Sequence, residues 1–235
     1  MTSAGRLLVC YGGTFDPVHN GHLAVARAAR DGLDADVALL PARDPPHKAD
    51  TRADATQRAD MLELAIADAP GLVVDRRELR RAGPSYSVDT LGELRAELGA
   101  DAPIAWLIGA DSLRQLHTWH RWRELFERAH VVVVQRPGAD IDMAALRAVS
   151  PEVAGVVEQR ARPPESLAEG AHGGFAVLPL PELRPESSTE LRRRIAADDA
   201  WMPWVPPAVA AYIVRHGLYR GPAAILPTAS NPAHR

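Results

Sequence analysis

The chain has 235 residues, 46% of them hydrophobic, enough to bury a sizeable core. Its 27 Lys and Arg against 30 Asp and Glu give a formal net charge of −3, so it lacks the overall basic field that gathers nucleic acid. A single cysteine cannot form an internal disulfide, the first residues carry no apolar signal core, and no apolar run reaches membrane-spanning length, so a soluble cytoplasmic protein is expected, with neither nucleic acid nor membrane as partner.

The first predicted element is a strand over residues 7–11. It stops at Gly12-Gly13-Thr14-Phe15-Asp16-Pro17-Val18-His19-Asn20-Gly21-His22, after which the alanine-rich stretch from Leu23 forms a helix. Glycines at a strand end let backbone approach a ligand, and the helix that follows offers unpaired N–H groups at its positive end. Together they make an anion site. His19 and His22 are three residues apart across the helix start, a spacing that puts both imidazoles on the side facing whatever the turn binds. The alternative is a partly exposed helix face. Zinc is disfavoured, because a site needs three or four ligands while only Asp16 is near and Cys10 lies inside the strand.

A second strand spans 36–40 and breaks at Pro41. The loop beyond it carries Arg43, His47 and Lys48 around the paired prolines Pro45 and Pro46, which either hold these groups towards a phosphate or form a solvated basic turn. A helix over 57–67 has Met61, Leu62, Ala65 and Ile66 on one side, and a short strand follows at 72–74. Residues 76–81 mix charges of both signs and read as a solvated edge. Gly83-Pro84-Ser85-Tyr86-Ser87 then leads into a helix marked by Val88, Leu91, Leu94 and Leu98, which Ser87 can cap.

The clearest buried strand covers 104–108 and ends in Gly109-Ala110-Asp111-Ser112. Asp111 there suits paired ribose hydroxyls, or caps the next helix. Another helix is expected to begin at Thr118-Trp119-His120-Arg121-Trp122, and a fifth strand at 131–134. Residues 137–174 contain Pro151, Pro163, Pro164, Gly170, Gly173 and Gly174, and read as an irregular insertion with a little helix around 143–149. A last strand at 175–178, a helix opened by Ser187, Ser188 and Thr189, and a final helix over 206–216 complete a single domain of residues 1–220; residues 221–235 read as a disordered tail. Strands alternating with helices predict an α/β fold, Rossmann-like and doubly wound, with a mostly parallel sheet and helices on both faces. Such sheets bind ligands at the carboxyl ends of their strands, near the reversal of strand order.

The spacing His19-Asn20-Gly21-His22 resembles the HxGH signature of the nucleotidyltransferase superfamily, and the run from Gly12 to Leu23 is similar to that of nicotinate mononucleotide adenylyltransferases. The likeness continues in order through Pro45-Pro46-His47-Lys48, Pro84-Ser85-Tyr86-Ser87, Ile108-Gly109-Ala110-Asp111-Ser112, Thr118-Trp119, Arg136-Pro137-Gly138, Ser187-Ser188-Thr189-Glu190-Leu191-Arg192 and Gly217-Leu218-Tyr219. It implies transfer of the adenylyl group of ATP, with Mg²⁺, to nicotinate mononucleotide, giving deamido-NAD and pyrophosphate. Gly12, Gly13, Thr14, Phe15, His19 and His22 would meet ATP, Gly109 and Asp111 the riboses, and Ser188, Thr189 and Arg192 the triphosphate. His47 and Lys48 would lie near phosphates, and Ser85, Tyr86, Ser87, Trp119 and His120 would form the nicotinate pocket. Two positions depart from the family pattern: Glu186 stands where isoleucine is usual, and Ala42-Arg43 where asparagines are frequent.

The implied chemistry needs no nucleophilic side chain. A phosphate monoester is already largely dianionic at neutral pH, so the obstacle is repulsion and alignment, which His19, His22, Arg192 and a helix N-terminus can relieve. The sequence offers no carboxylate cage, so Mg²⁺ is expected to arrive on the oxygens of ATP. Helix starts at Tyr86-Ser87 and Trp119-His120 are the candidate receivers of the nicotinate carboxylate. Trp119 either stacks on the pyridine ring or packs in the core beside Trp122. Nicotinamide mononucleotide and phosphopantetheine are the alternative acceptors, and a nucleotide-binding regulator without turnover is the alternative from another class.

Overall fold

A strand that is apolar along its whole length must be covered on both faces, and the strands of this chain have that character. The computed structural model describes residues 5–43, 52–135, 141–182 and 184–220. Among these the elements run β1 (Leu8–Gly13), α1 (Asn20–Gly32), β2 (Asp36–Pro41), α2 (Ala55–Ile66), β3 (Leu72–Val74), α3 (Arg77–Arg80), α4 (Ser87–Leu98), β4 (Ile104–Gly109), α5 (Ala110–Arg114), α6 (Leu125–Arg128), β5 (His130–Gln135), α7 (Met143–Val149), α8 (Pro151–Arg160), β6 (Phe175–Pro179), α9 (Ser188–Ala196) and α10 (Pro207–Arg215). The strands form one six-stranded sheet in the order β3-β2-β1-β4-β5-β6, with every pairing parallel. The doubly wound α/β fold expected from the sequence is therefore present.

Alternation along each strand divides the core in two. Val9, Val37, Leu39, Leu107, Val132 and Leu178 pack with Leu23 and Ala26 of α1, Met61 and Leu62 of α2, Leu191 of α9 and Val209 of α10. Cys10, Leu40, Ile104, Trp106, Val131 and Val133 face the other way, onto Leu91 and Leu94 of α4, Leu113 of α5, Phe126 of α6 and Val153 and Val157 of α8. Burying each such side chain contributes about 1.5–3 kcal/mol, so the helices are held by these two faces more than by their own propensity. Burial also pushes the Cys10 thiol pKa well up, which leaves that cysteine an inert core residue.

Four local expectations are corrected. Ser87 does not cap α4; the cap position is Tyr86, and Ser87 is the first helical residue. No helix begins at Thr118–Trp122: a short 3₁₀ turn ends at Thr118, Arg121 takes a left-handed conformation, and a second 3₁₀ turn starts at Trp122. Residues 76–81 are not a solvated edge, because α3 turns Glu78 inward to 3% exposure. The same turn of chain sets Arg77 between Asp75 and Glu97 and Arg81 against Glu93. The insertion is also more ordered than its prolines suggest. Pro151 starts α8 in the first turn, where its missing N–H costs no helical bond, and Val153, Ala154 and Val157 bury onto the sheet.

His130 ties the end of that insertion to the sheet. It is 1% exposed, its Nδ1 accepts from the Gly174 N–H (2.9 Å), and Nε2 lies 2.8 Å from the Gly170 carbonyl. With Nδ1 accepting, Nε2 carries the proton and donates, so the ring is neutral. Desolvation by burial holds its pKa below the ordinary 6.5. The unfolded chain therefore takes up a proton first on acidification, and stability is lost as pH falls below the ordinary histidine range. Denaturant midpoints measured at about pH 7 and pH 5 should show a smaller acid loss in His130→Gln than in the wild type, with at most about 1.4 kcal/mol per pH unit traceable to this one proton.

Candidate active site

The sheet reverses its order between β1 and β4. The β1–β4 ladder ends at Tyr11↔Leu107, whereas β1–β2 pairing runs on to Gly13↔Pro41 and β4–β5 pairing to Gly109↔Val134. The two central strands therefore part at their carboxyl ends. A cleft of about 470 Å³ opens there, within the size range of small-molecule sites.

The cleft is lined by Gly12, Gly13, Thr14, Phe15, His22, Gly109, Asp111 and Ser188 together with Ser85, Tyr86, Ser87, Trp119 and His120. Thirteen of the eighteen sequence-predicted residues thus line one volume. His19, Thr189 and Arg192 stand behind or beside this lining, while His47 and Lys48 lie outside the described residues. Glu78 and Trp106 also line it, and neither was expected.

The glycine turn works differently from the expectation. A Cβ on Gly12 would stand 2.7 Å from the Trp106 indole, and one on Gly13 would stand 2.9 Å from the Phe15 ring. Their missing side chains make room for the protein's own aromatics, which shape the floor of the cleft. Gly109 is the opposite case: nothing lies within 4 Å of its would-be Cβ, so its backbone is open to a ligand.

The histidine pair also divides its roles. His19 is the cap position of α1, with extended backbone (φ −144°, ψ 170°), so the same-face rule for helical neighbours does not apply to it. It is 5% exposed and lies under His22, the two ring centroids 3.7 Å apart. His22 reaches the cleft. Its Nδ1 accepts from the His19 backbone N–H at 3.2 Å, which leaves Nε2–H as a donor, and Phe15 braces the ring edge-on at 5.0 Å.

Also in the lining, Tyr86 and His120 stack with centroids 4.4 Å apart. Trp119 is half-buried, touching the second core face while lining the cleft; Trp122 is the fully packed neighbour. The Trp119 backbone N–H is engaged by the Leu116 carbonyl, so this segment is not the anion-receiving helix start that was expected. Arg43 turns towards the same lining, its N–H on Ser85 Oγ (3.1 Å) and Nη1 on the Arg81 carbonyl (3.1 Å). Asp111 does not cap α5, whose cap position is Gly109; its carboxylate pairs with Arg114 at the cleft edge. Among the described residues no three His, Cys, Asp or Glu side chains gather as a metal site.

A family model described as cytidylyltransferase-like matches residues 10–194. A protein of Stenotrophomonas maltophilia (strain K279a) named "Probable nicotinate-nucleotide adenylyltransferase" is 50% identical over 221 residues, 92% of this chain and 98% of the relative. The chain belongs to the nicotinate-nucleotide adenylyltransferase family. It is a nucleotidyltransferase, and its adenylyl transfer serves NAD biosynthesis. A relative of the same name from Chromobacterium violaceum is 49% identical over 213 residues, 89% of this chain and 97% of its own length. In fold, the chain is similar to the solved Plasmodium falciparum nicotinic acid mononucleotide adenylyltransferase complexed with NaAD, with a TM-score of 0.68, 16% identity and coverage of 91% and 97% of the two chains.

Within this family site, two charged residues that the sequence reading left without a role hold the turn in place. Asp16 is 4% exposed, and its carboxylate accepts from Ala53 N–H (3.2 Å), Arg52 N–H (2.9 Å) and the Tyr219 hydroxyl (2.8 Å). Its main-chain carbonyl takes Arg192 Nη1 at 2.6 Å. Arg58, with no exposed surface, donates to the carbonyls of Thr14 (2.6 Å) and Arg43 (3.2 Å) and so joins the exits of β1 and β2. The signal for Arg58 was legible: it stands in phase with Met61, Leu62 and Ala65, a cation inside an apolar stripe. Glu186, the departure from the family pattern, is covered by Arg184 at 2.7 Å, which compensates its charge. Ser188 adds a further tie, donating to the Pro17 carbonyl at 3.0 Å.

Removing the Asp16 carboxylate leaves a buried amide (Ala53), a part-buried amide (Arg52) and a buried phenol (Tyr219) without an acceptor. Asp16→Ala should lower unfolding free energy by roughly 3–5 kcal/mol, and Tyr219→Phe, which removes one bond to a charged acceptor, by about 1.5–3 kcal/mol. Equal midpoints for Asp16→Ala and the wild type in chemical denaturation would show that the network is not stabilising.

Proposed function

We propose that the protein joins the adenylyl group of MgATP to nicotinate mononucleotide, forming deamido-NAD and releasing pyrophosphate. The observation that carries this reading is a cleft at the sheet reversal lined together by the glycine turn, His22, the start of α9 and the aromatic residues at and near the start of α4.

The acceptor phosphate oxygen attacks the α-phosphorus of ATP, one P–O bond forming as the bond to the pyrophosphate leaving group breaks. A dianionic phosphate gives up no proton in this step, so no general base is needed. His22 and Ser188, the first residue of α9, line the cleft where charge develops, close to the positive end of that helix. Arg192 keeps Nη1 on the Asp16 carbonyl while its side chain is 30% exposed, so the rest of the guanidinium can turn to triphosphate oxygens. His19 supports His22 from beneath. Mg²⁺ belongs to the substrate in this scheme: Asp16 is occupied by backbone amides and Tyr219, and ATP's own oxygens carry the ion.

Selectivity for the acid over the amide rests on the start of α4. The Asp89 and Thr90 N–H groups bond back to the Tyr86 carbonyl, whereas the Ser87 N–H, ahead of them at the positive helix end, is placed for a carboxylate. Trp119 offers the charged pyridine ring an aromatic face.

Initial-rate kinetics test these roles. His22→Ala should lose about 10²–10³ in kcat with an unfolding midpoint near wild type, as for one preorganised donor to developing charge. Arg192→Lys should recover only part of the loss in Arg192→Ala, since a guanidinium grips two oxygens and an ammonium one. Near-normal turnover of His22→Ala would remove its catalytic assignment.

The acceptor side is tested separately. The wild type should prefer nicotinate over nicotinamide mononucleotide by about tenfold or more, about 1.4 kcal/mol, and Trp119→Ala should raise KM for the acceptor far more than for ATP. Equal use of both mononucleotides by the wild type would refute the specificity.

A further inference from the structure

The segment after α10 closes on the turn that follows β1. Gly217 takes the left-handed conformation (φ 61°), the Leu218 N–H bonds back to the Ile213 carbonyl (3.0 Å), and Leu218 and Tyr219 bury in the core face shared with α1 and α9. Tyr219 itself stands at φ 63°, uncommon for a bulky residue, and is 8% exposed. Its hydroxyl donates to Asp16 Oδ1 at 2.8 Å. Burial, and then the charge of Asp16, push the phenol pKa well up, so the proton stays on the tyrosine.

Asp16 is thereby held by neutral donors. The Ala53 N–H joins Tyr219 on Oδ1 (3.2 Å), and the Arg52 N–H takes Oδ2 (2.9 Å). Arg58, which binds the same turn, is committed to the Thr14 and Arg43 carbonyls. Arg192 is placed differently: Nη1 sits on the Asp16 main-chain carbonyl at 2.6 Å and 3.8 Å from Oδ2, while Nη2 is 3.4 Å from Thr189 Oγ1. A small shift would therefore close it onto the carboxylate. An ionised carboxylate has acceptor sites for about four donors, and a buried one that loses a donor recruits the nearest cation. Such a charge-assisted pair would compete with triphosphate oxygens for the same guanidinium.

We infer that Tyr219 is a positioning residue: by occupying Asp16 Oδ1 it keeps Arg192 from closing on that carboxylate and leaves the guanidinium available to the triphosphate of ATP. This rests on the assignment of Arg192 to the triphosphate. Loss of one hydrogen bond leaves a domain of ordinary stability folded, so Tyr219→Phe is a usable probe.

With the full-length chain, titration calorimetry without acceptor should show MgATP binding about fivefold or more weaker in Tyr219→Phe, the effect of roughly one hydrogen bond. Adenosine, which has no triphosphate, should bind within about twofold of wild type, since the residues that meet it are untouched. The same split should appear in KM, which rises for ATP and stays within about twofold for nicotinate mononucleotide. In an Arg192→Ala background, Tyr219→Phe should have a much smaller effect on MgATP affinity, because the group it acts through is gone. Unchanged MgATP affinity in Tyr219→Phe, an equal loss for adenosine and MgATP, or the full loss persisting in the Arg192→Ala background would overturn the inference. Wild-type MgATP affinity in Arg192→Ala would overturn it as well. Absence of wild-type turnover with nicotinate mononucleotide would instead defeat the acceptor assignment, and the binding measurements then decide Tyr219 alone.

Discussion

The Asp16 carboxylate is the constraint on which the rest of the site depends. Four stretches far apart in the chain meet around it: the turn after β1, residues 52–53 ahead of α2, Arg192 on α9, and Tyr219 near the end of the described chain. Each contact is local and modest, yet the carboxylate is buried, so losing any acceptor position leaves a donor without water to replace it. The geometry of the turn after β1 is in this way fixed by residues that do not themselves line the cleft.

Arg58 does for the neighbouring strand exits what Asp16 does for the helices. Its guanidinium joins the Thr14 and Arg43 carbonyls, and those two strands are the ones whose ladder persists while β1 and β4 separate. The parting of β1 from β4 makes the cleft, and the crosslink from β1 to β2 keeps it from widening elsewhere. Trp106 and Phe15 then fill the spaces beside Gly12 and Gly13, so the cleft floor is aromatic and rigid, and the donors around it are held in place before a ligand arrives.

The part of the cleft at the start of α4 is built on a second buried acidic side chain. Glu78 and Thr90 connect α3 with α4, and Arg43 ties the segment after β2 to the loop between those helices through Ser85 and to Arg81. The departure at Ala42-Arg43 from the family pattern has a structural use here, since Arg43 binds the loop through its backbone and through the Arg81 carbonyl. Two separate buried carboxylates thus organise the cleft, Asp16 behind the turn after β1 and Glu78 beside the first turn of α4.

Much of this was legible in the sequence. The alternation of apolar strands with one-sided helices specified the doubly wound sheet, because strands without a polar face can be covered only by helices on both sides. Contiguous motifs such as residues 12–22 and 84–87 carried the site, since local chemistry and local geometry coincide there. What the sequence did not reveal shares one cause: it depends on partners distant in the chain. The run 76–81 has a solvated composition, and only packing against α4 turned Glu78 inward; Pro151 resembles a breaker until its place in a first turn is known. His19 and His22 have helical spacing, but the backbone at His19 is extended, so one ring is buried and the other faces the cleft. The sequence alone determined the fold class and which residues could take part, because these follow from periodicity and side-chain chemistry; the tertiary structure decided which of them face the ligand and which hold the others, because burial and hydrogen-bond direction are set by contacts between segments that the chain order does not bring together.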